Sequence, residues 1–89
     1  MYYIIDKIEL INGEISFTPI GYTTDPQFIS QIDSVYSIYT SWIEQNKTDL
    51  ESGLVTISDY FIENGPCFSA KTLSNNVEGL VELTELNGI

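Results

Sequence analysis

The side chains that do most enzyme chemistry are scarce in this chain. It has no histidine and no arginine. The usual general base, the imidazole metal ligand and the guanidinium clamp for a developing oxyanion are therefore all missing. Cys67 is the one cysteine; no base stands at a spacing that would activate it, and on a strand it is expected to pack as an inert small hydrophobe. No glycine-rich phosphate loop precedes a helix, and no metal-ligand spacing occurs. No catalytic residue, metal site or cofactor is expected, and an enzyme is a poor fit. Asp59 is the single acid in an unusual setting, because alternation through Leu54–Ile62 puts it on the core-facing side between Ile57 and Phe61. A lone carboxylate there is costly, so it is either a functional acid or, as favoured here, sits at a bulge or sheet rim that reaches water.

Charge is the stronger signal. Thirteen acids face three lysines, Lys7, Lys47 and Lys71, for a formal charge of −10, although charged residues are only 18% of the chain. Missing bases contribute as much to the balance as added acids. Direct nucleic-acid binding is disfavoured, since phosphate contacts rely on Arg and Lys, and anionic membrane surfaces are disfavoured for the same reason. The acids recur as Glu78, Glu82 and Glu85, as Asp49 and Glu51, and as Glu9 and Glu14. Such groups are ordinarily solvated faces; spaced like phosphates, they would instead steer the chain onto a basic protein groove.

The helix that must organise these residues is Asp25–Asn46. Phe28, Ile32, Val35, Tyr39 and Trp42 fall on one line at the helical period, with Ile29, Tyr36, Ile43 and Ile38 widening the stripe. Asp25-Pro26 marks the start, Thr24 being a second candidate cap, and Asn46-Lys47 the exit, where Asn tolerates the left-handed conformation. The opposite side carries Ser30, Ser34, Ser37 and Ser41 with Asp33 and Glu44. That face is poorly dressed for solvent and is a candidate contact surface, set against the plainer reading of a solvated face in a lysine-poor protein.

Around the helix the chain reads as strands. Asn12-Gly13 between two alternating runs predicts a tight hairpin over Tyr2–Tyr22, pairing Leu10 with Ile15, Ile8 with Phe17, Ile5 with Ile20 and Tyr3 with Tyr22. Ile4, Ile8, Leu10, Ile15 and Phe17 form its core face. Pro19 falls opposite Asp6 and assigns the second strand to the sheet edge. Thr48-x-x-Glu51 before Gly53 predicts one helical turn. Leu54–Ile62 then reads as a third strand, Glu63–Pro66 as a four-residue loop and Cys67 onward as a fourth strand. Asn75-Asn76 reads as a turn, and Val77–Leu86 as a fifth strand. These registers would stack Phe61–Phe68–Leu83, Asp59–Ala70–Val81 and Ile57–Thr72–Gly79 on one sheet face.

The expected fold is therefore a single α+β domain over residues 1–89: one mainly antiparallel five-stranded sheet in ββαβββ order, with one long helix packed on one face. In element order this is similar to the β-grasp arrangement. In size and charge the chain resembles phage-encoded DNA mimics, anti-restriction and anti-CRISPR proteins, and bacterial nuclease-immunity proteins. The resemblance implies a small inhibitor or modulator of a protein with a basic, nucleic-acid-binding surface. On that reading Glu78, Glu82 and Glu85, with Tyr60 beside them, are the expected contacts, and Glu9, Glu14, Asp49 and Glu51 the further ones. The alternative is an accessory subunit that forms a homodimer through its second sheet face, with Tyr3 and Ile62, or through the serine-lined helix face. With one cysteine, no signal-like N-terminus and no apolar membrane span, a cytoplasmic setting is expected, that of the host for a viral protein.

Overall fold

The computed structural model describes residues 1–73 and 77–85. Its elements are β1 (Tyr2–Ile11), β2 (Glu14–Thr23), α1 (Pro26–Gln45), α2 (Lys47–Ser52), α3 (Ile57–Asn64) and β3 (Cys67–Leu73). Among the described residues the sheet has three antiparallel strands in the order β2-β1-β3, in place of the expected five.

The hairpin forms because Asn12 and Gly13 accept positive φ, at 53° and 81°, which the tight turn requires. Its register follows the turn from Ile11↔Glu14 through Ile8↔Phe17 to Asp6↔Pro19, as the spacing predicts. Beyond Pro19 it shifts: a bulge leaves Ile20 without an opposite residue, so Ile5 faces Gly21 and Tyr3 faces Thr23, in place of the expected Ile20 and Tyr22. β2 lies at the sheet edge, where Pro19 cannot interrupt a ladder. Among the described residues its free edge is paired only near its end, at Tyr22. The Tyr22 N–H donates to the Val81 carbonyl at 2.9 Å and the Leu83 N–H to the Tyr22 carbonyl at 2.7 Å, making one isolated parallel bridge between Tyr22 and Glu82. That bridge is all that the described part of the expected fifth strand contributes. The Asn75-Asn76 turn and Leu86 lie outside the described residues.

The expected third strand is a helix. Ile57–Asn64 can alternate at period two, but Ile57, Tyr60, Phe61 and Asn64 also repeat at i, i+3, i+4 and i+7, the helical spacing. Local chemistry decides between the two periods. Thr56 is the N-cap, and the carboxylate of Asp59 reaches back to accept its N–H at 2.8 Å. Gly65, at φ 74°, ends the helix and donates its N–H to the Phe61 carbonyl at 2.9 Å. Asp59 is therefore a half-buried cap and not a core acid, and the stacked layers through Phe61, Asp59 and Ile57 do not form. With no third strand beside it, β3 pairs directly with β1, placing Cys67 opposite Ile8 and Ala70 opposite Ile5.

α1 starts where the sequence places it: the Asp25 carboxylate accepts the Gln27 N–H at 2.9 Å, and Pro26 occupies the first turn. Its end differs from expectation. Asn46 is not left-handed, with φ −107°; its side-chain amide donates to the Trp42 carbonyl at 2.9 Å, and α2 follows at once. α2 closes on Gly53 at φ 82°.

Two clusters make the core. Directly paired residues share a sheet face, so Ile5 and Ala70 lie on one side of the sheet and Ile8 and Cys67 on the other. Phe28 and Ile32 close over Ile5, with Phe68, Ala70 and Leu83 at the margin. Tyr60 and Phe61 close over Ile8 and Cys67, and Val35, Tyr39 and Trp42 complete that side. Consecutive Ile4, Ile5 and Asp6 are all buried, because β1 is covered on both faces. Phe17 keeps its predicted partner Ile8 but is 63% exposed on the edge strand, whereas Leu10 and Ile15, nearer the turn, are partly buried against the second cluster.

Candidate functional site

The second half of α1 runs beside α3 and leaves an open groove of about 320 Å³ between them. α1 contributes Ser37, Ile38, Ser41, Trp42 and Gln45; α3 contributes Tyr60 and Asn64. The residue types follow from the two helical periods. Trp42 ends the apolar stripe and Ser37 and Ser41 belong to the small polar face, so the groove sits where the two faces of α1 meet. Tyr60 and Asn64, one turn apart on α3, present a ring and an amide to the same space.

An aromatic cluster fixes the floor. The Tyr60 ring lies 5.5 Å from Trp42 at 62° between planes and 5.0 Å from Tyr39 at 59°. Phe61 stands 5.2 Å from Tyr60, edge to face at 87°. These separations and tilts are those that aromatic pairs prefer. Tyr60 is only 4% exposed, yet among the described residues none hydrogen-bonds its hydroxyl. Burial, then the nearby Cys67 sulfur, raises its pKa above 10.0, and Tyr39 is raised in the same way, burial again leading. Both remain phenols at neutral pH. The Cys67 thiol is buried against the same cluster, which pushes its pKa up to about 11 and keeps it from forming a thiolate.

The groove carries no charged side chain and is rich in acceptors. Asn64 donates its side-chain N–H to the Tyr60 carbonyl at 2.9 Å, which leaves Oδ1 for a ligand. The Ser37 hydroxyl donates to the Ser34 carbonyl at 3.0 Å and keeps its lone pairs. Ser30 and Ser34, nearer the start of α1, likewise back-bond to Pro26 and Ser30 and are exposed. Among the described residues no three Asp, Glu, Cys or His side chains gather as a metal site would require.

Of the thirteen acids only Asp6 is buried. Its Oδ2 meets Lys71 Nζ at 3.5 Å, and its Oδ1 has no hydrogen-bond partner among the described residues. Glu9 pairs with Lys7 at 3.5 Å. Glu9 and Glu14 lie towards the turn of the hairpin, Asp49 and Glu51 on α2, and Glu78, Glu82 and Glu85 on the segment that passes the end of β2. The expected proximity of Tyr60 to Glu82 rested on neighbouring strands, and with Tyr60 in α3 that basis is gone. The sequence flags the serine face and Tyr60 separately. What joins them is the helix at Ile57–Asn64, whose signal is Thr56-x-x-Asp59. Comparison with protein-family models, curated proteins and solved structures finds no match.

Proposed function

We propose that this protein is a small acidic modulator that binds a basic, nucleic-acid-handling surface of a partner protein, acting in the cytoplasm in the manner of a DNA mimic. The observation that carries the reading is the placement of charge. The acids are at the surface with the exception of Asp6, while two of the three lysines are already held within the chain, Lys7 by Glu9 and Lys71 by Asp6. The net negative field is thus presented outward, where it would raise association rates with a cationic groove and make them salt-sensitive.

The test is capture of the partner from the source cell, its identification, and measurement of its Kd from about 0.05 to 0.5 M salt, over which the Debye length shrinks several-fold. Affinity is expected to fall steeply over this range and to weaken further in the double variant Glu82→Lys, Glu85→Lys. A salt-independent Kd would overturn the reading. Self-association is the second reading, favoured by Ile38 and Ile62, 60% and 70% exposed on α1 and α3. Sedimentation of the free protein at high concentration separates the two, because this reading requires a dimer.

A further inference from the structure

We infer that the groove between α1 and α3 receives an arginine side chain of the partner, anchoring what the acidic surface attracts; this rests on the reading above and assigns it a specific contact. Three observations converge on a guanidinium. The walls include the rings of Trp42 and Tyr60, set at 62° to one another, and a planar cation packs on such faces. Around them stand neutral oxygens with capacity to accept, those of Ser37, Ser41, Gln45 and Asn64, and no lysine to repel a cation. Tyr60 lines the groove and its hydroxyl has no hydrogen-bond partner among the described residues, so it is available to accept from an N–H donor that enters there.

Arginine fits better than lysine. It offers five N–H donors in a rigid plane and loses less hydration, whereas an ammonium is a compact, strongly hydrated point charge. The chain's formal charge of −10 supplies the long-range attraction for any cation; the groove supplies the choice among cations.

Trp42 is the only tryptophan and lines the groove, so its emission reports occupancy directly. The probes are nona-arginine and nona-lysine, equal in charge. The variants are Ser41→Lys, which places a cation in the groove, and Ser30→Lys, the same charge change on exposed α1 surface about 16 Å further along the axis. Nona-arginine is expected to bind about tenfold more tightly than nona-lysine and to alter Trp42 emission. Ser41→Lys should erase that preference, and Ser30→Lys should change either affinity less than about twofold. Equal affinities for the two peptides, an unchanged Trp42 emission at saturation, or identical effects of the two variants would each overturn the groove assignment. In those cases salt-sensitive binding of both peptides would leave the acidic-surface reading standing. Absence of binding by either peptide at low salt would remove that reading and the groove assignment together.

Discussion

The two halves of α1 face different problems. Phe28 and Ile32, in the first half, close over Ile5 in a cluster built from hydrocarbon side chains alone. From Val35 onward the helix meets Tyr60, Phe61 and Cys67 with Tyr39 and Trp42, and this side is aromatic, half-buried and open at its groove. A cluster of hydrocarbon side chains without polar tips stabilises only when water is excluded. An aromatic cluster with polar tips buries much of its area while keeping hydroxyls and an indole within reach of solvent. The first half of α1 is accordingly sealed from water, and the second borders the groove proposed above as a contact.

The most forceful way to break this contrast is to truncate both sides. Phe28→Ala removes a ring that is 1% exposed, and a loss of about 3–5 kcal/mol is expected, a large part of a small domain's stability. Trp42→Ala, at a half-buried ring, should cost about 1–2 kcal/mol. Urea midpoints at unchanged m-value measure both. Equal losses would show that the two halves bear the fold alike.

Gly21→Ala tests the hydrocarbon side from its rim. A Cβ there would lie 2.6 Å from both Leu83 Cγ and the Val81 carbonyl oxygen, so the segment carrying Leu83 must shift. The expected cost is about 1–3 kcal/mol, with loss of protection of the Leu83 amide in hydrogen exchange. Retained protection would mean that the segment can yield without leaving β2.

Legibility divides along a different line. The hairpin can be read because Asn12-Gly13 fixes a register that side-chain alternation then repeats, and Pro19 assigns its edge. Its bulge at Ile20 leaves no mark in the alternation. The apolar stripe of α1 can be read because five large side chains keep the helical period over four turns. Ile57–Asn64 is too short for its periodicity to discriminate, and the deciding evidence is the carboxylate of Asp59 three residues after Thr56. Read as a strand, that segment gives β3 a neighbour it lacks, puts Asp59 on the core-facing side of a sheet and sets Tyr60 beside Glu82. The groove was hidden for the same reason, since its second wall is α3. Burial of Asp6 was equally hidden, because it depends on cover from both faces of the sheet.

High pH should weaken the aromatic side selectively. Burial raises the Cys67 thiol from 9.0 to about 11, so the unfolded chain loses that proton first. The stabilising contribution is whole below pH 9.0 and is lost as pH rises towards about 11, at up to about 1.4 kcal/mol per pH unit. Tyr39 and Tyr60, also raised by burial, add to the loss above 10.0. Urea midpoints across this range should fall in the native protein, and the part of the fall that begins near 9.0 should vanish in Cys67→Ala. A flat native profile would place Cys67 outside the closed part of the cluster.

The smallest expected effect on stability is the most discriminating. Tyr60→Phe keeps the ring between Trp42, Tyr39 and Phe61 and removes only a hydroxyl that has no partner among the described residues. No intramolecular hydrogen bond is lost, so stability should stay within about 0.5 kcal/mol of the native value, or rise. Affinity for nona-arginine should nevertheless fall about threefold, because the ligand loses an acceptor. A stability loss above about 1 kcal/mol with unchanged affinity would mean that the hydroxyl is bonded within the fold and that α3 serves packing alone. The expected opposite pattern, binding weakened at constant stability, separates recognition from stability within a single oxygen atom. Phe28→Ala cannot make that separation, since every atom it removes is buried in hydrocarbon.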